Sequence, residues 1–362
     1  MKIAIITDQH FGARKGNKNL HDYFKKFYDD VFFPTLEREN IDTVIDMGDT
    51  FDTRKGIDFW SLSWSKENYY DILRDMGITV HTIVGNHTAY YKDTNEINSV
   101  DLLLREYSNV IVYGSPTELT IGNLQTFFIP WMNDENREQT LEMMSKTSAK
   151  VAFGHLEMKG FYANRSYIVE HGDDKSTYQK FKKVFSGHYH HRNFQDNIYY
   201  LGNPYEIYWH DVDETRGFHI FDTETLEHTP VNNPHRLFHI ISYEDTPHQT
   251  FNAEPYKDKI VKVIVNKKSS ISQFDKFVDK LYASGVNDLK IVENFDFNGY
   301  YQSEDLDTEN VENTLSILNR YIDDSEFSLD VSKMKSLGDR QLHLASSRRL
   351  WWLSVGLRPV FP

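Results

Sequence analysis

The sequence predicts an α/β protein whose polar chemistry sits at the carboxyl ends of buried strands, followed by a smaller α+β module. Five apolar runs carry this reading, and each ends in a polar turn. Residues 3–7 lead into Asp8-Gln9-His10, 41–47 into Gly48-Asp49-Thr50-Phe51-Asp52, and 80–84 into Gly85-Asn86-His87. Residues 151–153 lead into Gly154-His155, and 184–186 into Gly187-His188-Tyr189-His190. Open α/β sheets place their chemistry at such strand ends. The second observation is helical spacing between the runs. The third is a change of pattern at the polar, Pro-containing segment 244–249.

In chain order, Leu20, Tyr23, Phe24, Phe27, Tyr28 and Val31 recur at helical spacing and mark an amphipathic helix. A long aromatic segment, 59–76, precedes the strand into Asn86-His87, and a second helix is expected over about 95–107. Residues 124–130 read as a strand and 135–145 as a helix. Beyond His190, Tyr199-Tyr200-Leu201-Gly202-Asn203-Pro204 is a strand end with turn chemistry, and 217–222 is a further strand with its hairpin turn near Thr223-Glu224. After the linker come a strand (260–265), a helix (271–284, stopped by Gly285), a strand (289–295) and a last helix (311–322). That set is long enough to fold as a compact module. The expected division is therefore a first domain over 1–245, the α+β module over 246–326 and a tail over 327–362.

Composition bounds the function. A chain of 362 residues with 39% hydrophobic and 14% aromatic residues can bury a sizeable core. With no cysteine it has neither a disulfide framework nor a thiolate metal site. Residues 1–6 read as a strand rather than a signal peptide, and no apolar run approaches the roughly 20 residues of a membrane helix. A cytoplasmic protein is expected. The net charge of −14 argues against a protein that coats nucleic acid generally.

The strand ends supply Asp8, His10, Asp49, Asn86, His155, His188 and His190, an oxygen and nitrogen set without sulfur. Such a set suits Mn²⁺, Fe²⁺ or Zn²⁺ better than Ca²⁺ or Mg²⁺. Seven ligands are too many for one ion but suit two that share a carboxylate, clamp a phosphate and generate a hydroxide at neutral pH. His87 is left over and can protonate a leaving oxygen, with Asp52 placed to hold its tautomer. Singly, Asp8 or Asp49 reads as a turn residue and His155 as a core histidine. The joint order, D-x-H, G-D-x-x-D, G-N-H, G-H and G-H-x-H, decides for a site. His21, His191 and His210 fit no motif.

These motifs resemble those of the calcineurin-like metallophosphoesterase superfamily, in order, across about residues 1–210. The resemblance implies a four-layer αββα sandwich. It implies one metal on Asp8, His10, Asp49 and His190, and a second on Asp49, Asn86, His155 and His188. His87 would be the acid, paired with Asp52. The family's third motif usually continues with an acid where this chain has Thr88. Within the superfamily, Asp8-Gln9-His10-Phe11-Gly12, Gly48-Asp49-Thr50-Phe51-Asp52 and Tyr200-Leu201-Gly202-Asn203-Pro204-Tyr205 are similar to SbcD and the eukaryotic meiotic-recombination nuclease, and the short length to the phage nucleases of the T-even type. That branch implies a two-metal DNA exonuclease and endonuclease, most simply with Mn²⁺, serving recombination, repair and replication. It implies a DNA-capping role for the α+β module, a homodimer formed through helices within 59–76 and 95–107, and an SbcC-like, SMC-type ATPase partner. The chain itself lacks a phosphate-binding loop of the G-x-x-x-x-G-K-[ST] type.

Cations follow each motif: Arg14, Lys15 and Lys18, then Arg54 and Lys55, then Lys92, then Arg192. On loops at a metal rim they would steer a polyanion inward. In the tail, Leu329, Val331, Met334 and Leu337 offer an apolar face for the ATPase, while Arg348-Arg349-Leu350-Trp351-Trp352 belongs either to a docking segment or to a non-native extension. The alternatives are a small-substrate phosphodiesterase or phosphatase on the same core, and a catalytically inactive scaffold.

Overall fold

The computed structural model describes residues 1–246, 249–268 and 270–293. The helix expected over 311–322, the end of the strand at 294–295 and the whole tail lie outside the described residues.

Two six-stranded sheets form the bulk of this part of the chain. The first runs, in spatial order, β14 (His228–Asn232), β13 (Gly217–Asp222), β1 (Lys2–Ile6), β2 (Thr43–Asp46), β3 (Thr79–Ile83) and β4 (Val110–Tyr113). The second runs β11 (Asn193–Gln195), β12 (Ile198–Tyr200), β10 (Lys183–Gly187), β7 (Val151–His155), β6 (Leu124–Ile129) and β5 (Thr117–Ile121). The pairs β1–β2, β2–β3, β3–β4 and β6–β7, β7–β10, β10–β12 are parallel, whereas β1–β13 and β11–β12 are antiparallel and β13–β14 and β5–β6 are hairpins.

Alternation along the strands builds the layers. Side chains of successive strand residues point to opposite faces. Ile3, Ile5, Ile45 and Ile83 of the first sheet join Phe128, Val151, Phe153 and Phe185 of the second in one buried cluster between the sheets. Their neighbours Ala4, Ile6, Val44 and Val80 pack outward with Leu20, Phe24, Phe27 and Phe32. Phe127, Ala152 and Val184 pack outward on the other side with Met144, Tyr178 and Phe181. Helix, sheet, sheet, helix follows from this, and the four-layer expectation holds.

Three helical stretches cover the first sheet. Lys18–Phe27 starts on Asn17, whose side chain accepts the Leu20 N–H at 3.0 Å, and continues through a π turn (Tyr28–Phe32) into Phe33–Glu39. Phe59–Ser65 starts on Asp58 and likewise passes through a π turn, Lys66–Tyr70, into Asp71–Asp75. The helix expected over 95–107 is only Ser99–Leu103. The apolar spacing there is outweighed by two asparagines. Asn98 caps the helix by accepting the Asp101 N–H, and the buried Asn95 side chain donates to the carbonyls of Gly114 and Trp131.

A third sheet, β15 (Phe238–Ser242), β16 (Ile260–Val265) and β17 (Asp288–Glu293), is wholly parallel and carries the helix Ile271–Ala283. Val261, Val263, Phe274, Phe277 and Leu281 form its core. Its first strand lies ahead of the 244–249 segment, so the sheet begins earlier in the chain than residue 246. The signal is weak because Phe238–Ser242 is short and only partly buried. No helix among the described residues is long and apolar enough to cross a membrane.

Candidate metal centre

The five predicted turns converge where the central strands of the two sheets end. Asp8 and His10 follow β1, Asp49 and Asp52 follow β2, and Asn86 and His87 follow β3. His155 closes β7, while His188 and His190 follow β10. Asp8 (φ 53°), His10 (φ 48°), Asp49 (φ 52°) and His188 (φ 84°) all occupy the left-handed region, which costs a non-glycine residue free energy. Backbone pairing between the first two loops holds them there: the N–H groups of Asp8, His10 and Phe11 donate to the carbonyls of Gly48, Asp49 and Thr50 at 2.9, 2.9 and 2.8 Å. Two glycines permit the crowding. A Cβ on Gly85 would run into the Asp49 carboxylate, and one on Gly187 into the Thr7 hydroxyl.

One group comprises Asp8, His10 and His190, whose potential ligand atoms all lie within 4.8 Å of one another. The two imidazoles meet Nε2 to Nε2 at 3.0 Å. Asp8 accepts from the Thr7 hydroxyl at 2.7 Å and from the His188 N–H at 3.1 Å. The second group comprises Asp49, His155 and His188. Asn86 Oδ1 lies 2.9 Å from both His155 Nε2 and His188 Nδ1, and Asp49 Oδ2 lies 3.1 Å from His155 Nε2.

Tautomers turn this geometry into a test of cation binding. His155 Nδ1 lies 2.8 Å from the Met47 carbonyl, which can only accept, so that nitrogen carries the proton. In the neutral ring Nε2 then presents a lone pair to two further acceptors, Asn86 Oδ1 and Asp49 Oδ2. Such a cluster requires a positive charge at its centre. Burial opposes protonation of the ring, but the Asp49 carboxylate holds His155 up at about 9. Burial likewise opposes protonation of His10, yet Asp52, Asp49 and Asp8 hold it up at about 9. Asp49 is held well below the usual carboxylate range, because the facing imidazoles of His155 and His87 outweigh its burial. The donor set fits divalent cations.

His87 stands beside these groups, its ring centroid 5.0 Å from that of His10. Its partner differs from the expected one. His87 Nδ1 donates to the backbone carbonyl of Asp52, whereas the Asp52 carboxylate lies 3.1 Å from His10 Nδ1 and accepts from Tyr208 at 3.3 Å. The turn after Asp49 points the carboxylate at the neighbouring histidine, so Asp52 orients His10 with its side chain and His87 with its main chain. Thr88 is buried and closes its own turn, accepting from the Gly85 N–H at 2.9 Å.

The predicted cations divide. Lys15, Lys18, Lys55 and Lys92 are exposed, and Arg14 and Arg54 half-buried. Arg14 stacks over Phe238 and Lys18 over Trp60. Arg192 is likewise half-buried, its guanidinium donating to the Leu201 carbonyl and to Asn232, and burial lowers it to about 10. It stands one residue past the His190 loop and heads into β11, whose packing claims the side chain.

Several residues had no sequence motif to reveal them. Asp211 Oδ1 lies 3.4 Å from His210, 3.9 Å from His190 and 3.1 Å from Arg216, and Arg216 also bonds the His190 carbonyl and Asn203. This buried ion network supports the His190 loop from behind. His191 pairs with Glu214 at 2.9 Å, and His21 accepts the Gly12 N–H at 3.0 Å, so both are structural. Glu157 lies 3.7 Å from His188, and Trp131 packs 5.1 Å from the same ring.

A model of calcineurin-like phosphoesterases matches residues 1–192. The chain belongs to the calcineurin-like phosphoesterase family. Over 334 residues it is 31% identical to Exonuclease subunit 1 of Enterobacteria phage T4, spanning 89% of this chain and 92% of that protein. Among solved structures it resembles a novel archaeal phosphodiesterase, at 16% identity and a TM-score of 0.34 over 64% of this chain and 100% of the other. It also resembles a glutamine-dependent NAD⁺ synthetase from Acinetobacter baumannii, at 9% identity and a TM-score of 0.26 over 96% and 73% of the two chains. Neither of these two likenesses carries an argument. As a calcineurin-like phosphoesterase the protein is a metal-dependent enzyme that hydrolyses phosphoesters with divalent ions, and the two groups described are among the His/Asp clusters of the described residues that could hold one.

Proposed function

We propose that the protein is a two-metal DNA nuclease. The observation that carries the reading is the pair of ligand groups, one on Asp8, His10 and His190 and one on Asp49, His155 and His188 with Asn86, in a chain 31% identical to Exonuclease subunit 1. Asp49 is assigned as the shared ligand, and the nitrogen-rich set favours Mn²⁺. Bound ions would supply charge to offset the phosphate and a water acidic enough to attack at neutral pH.

The rest is done by the chain. With Nδ1 of His87 held by the Asp52 carbonyl, Nε2 is the position from which a proton can pass to the leaving oxygen. Asp52 fixes the His10 ring, and the loop pairing of 8–11 with 48–50 fixes both carboxylates. Lys15, Lys18, Lys55 and Lys92 are the exposed cations assigned to the DNA backbone, with Arg14 and Arg54 half-buried beside them.

The name "subunit" of the T4 relative supports an assembly, for which we assign an SbcC-like ATPase, with action in recombination and repair in the host cytoplasm. The third sheet is assigned as the start of a DNA cap that continues to about residue 326, and the tail from 327 as the docking segment. Phe59 is 90% and Leu102 50% exposed, which supports a homodimer through the helices that carry them. Trp64, Tyr69, Tyr70, Val100 and Leu104, by contrast, are buried in the first core. The test is end-labelled DNA with and without the ATPase and ATP. Single strands should be cut by the chain alone and duplex efficiently only with the partner. Equal duplex cutting without it would contradict the assignment.

A further inference from the structure

One buried carboxyl has no part in either ligand group. Asp46, the last residue of β2, is fully buried between Ile45 and Met47. An apolar residue would serve a strand there, because burying a carboxyl is unfavourable unless its oxygens are satisfied. Here they are. Asp46 Oδ2 accepts from Gln9 Nε2 at 3.0 Å and from the Thr50 hydroxyl at 2.7 Å, and Oδ1 accepts the Gly48 N–H at 3.2 Å.

The identity of those donors is what matters. Gln9 stands between Asp8 and His10, while Gly48 and Thr50 flank Asp49. Gln9 is itself pinned, its Oε1 by the Tyr28 hydroxyl at 2.6 Å and its carbonyl by the Tyr205 hydroxyl at 2.7 Å. Those two hydroxyls meet at 3.1 Å. We propose that Asp46 is a positioning residue for the metal centre, a clamp that joins the Asp8–His10 loop to the Asp49 loop through Gln9, Gly48 and Thr50. The strained, left-handed backbone at Asp8, His10 and Asp49 needs such a restraint, since main-chain pairing alone leaves the side-chain faces of the two loops free to shear. Partners behind a ligand that fix its orientation are commonly worth about 10- to 100-fold in metal affinity or activity.

This inference rests on the metal-centre reading, and the test separates the two. Mn²⁺ binding to the full chain is measured by calorimetry, with the melting temperature of the metal-free protein and the Mn²⁺ dependence of phosphodiester hydrolysis alongside. Asp46→Leu removes all three acceptor contacts and should weaken Mn²⁺ binding by about 10- to 100-fold. Asp46→Asn keeps an oxygen for Gln9 and Thr50 but turns an amide towards the Gly48 N–H. It should fall between wild type and Asp46→Leu and recover wild-type turnover at saturating Mn²⁺. Thr50→Val removes one donor, should weaken binding least, and together with Asp46→Asn carries the test if Asp46→Leu does not fold. A lowered melting temperature with wild-type Mn²⁺ affinity in these variants would mark Asp46 as merely structural and overturn the clamp. Absence of Mn²⁺ binding by the wild type would overturn the metal-centre reading itself and the clamp with it.

Discussion

A hydrogen bond joins His87 to Asp49, the His87 N–H donating to the Asp49 carboxylate at 2.8 Å, yet the two variants should fail differently. Asp49→Ala removes the carboxylate assigned above, as a proposal, to both ions and should abolish both activity and stoichiometric metal binding. His87→Asn should lower turnover by about 10²- to 10⁴-fold with bound metal unchanged. Elemental analysis of the two purified variants checks the contrast, and metal loss from His87→Asn would contradict it. At this scale the sequence was most legible, because a strand end followed by a glycine turn leaves few ways to aim the next side chain. What it could not convey was Asp52. Whether a carboxylate or its own main-chain carbonyl meets an imidazole depends on a turn of the backbone that no spacing encodes.

Elements carry the next level. Glu206 is buried, and its carboxylate accepts the N–H groups of Leu237 and Phe238 at 2.7 and 2.9 Å while pairing with Arg236 at 2.9 Å. It fastens the start of the third sheet to the segment after Asn203. Glu206→Ala leaves these donors unpaired and should cost about 2–5 kcal/mol, read from the urea midpoint, with faster amide exchange along Phe238–Ser242. Neither this latch nor β15 was legible, because both depend on partners about 30 residues away in sequence. The β13–β14 hairpin gives a pH prediction. Burial first, then Lys183 and Arg192, lowers His228 to about 4, and burial with Arg192 holds His219 well below its ordinary value. The unfolded chain takes up these protons near pH 6.5 while the folded chain refuses them. Their contribution is therefore complete above about pH 6.5 and is lost as the pH falls towards 4. A denaturant midpoint that falls between pH 7 and 5, less steeply in His228→Asn, is the expected result.

For the whole molecule, apolar runs and helical spacing along the first two-thirds of the chain made an α/β fold legible, whereas the four-layer sandwich was legible only through the resemblance that the motifs carry. Its edges were not: β4, β5, β11 and β14 are short or half-exposed and carry little pattern. The exposed Phe59 and Leu102 bear on assembly, and sedimentation at micromolar concentration should give a dimer that Phe59→Asp with Leu102→Asp converts to a monomer. A wild-type monomer would contradict the dimer. The central claim is that these strand ends build a two-metal centre that hydrolyses DNA, and the most direct measurement is degradation of labelled single-stranded DNA by the full chain across a series of divalent ions. The account predicts hydrolysis that is absent with chelator, far faster with Mn²⁺ than with Mg²⁺, and abolished in Asp49→Ala. DNA left intact with every ion, while a small phosphodiester is hydrolysed under the same conditions, would contradict it.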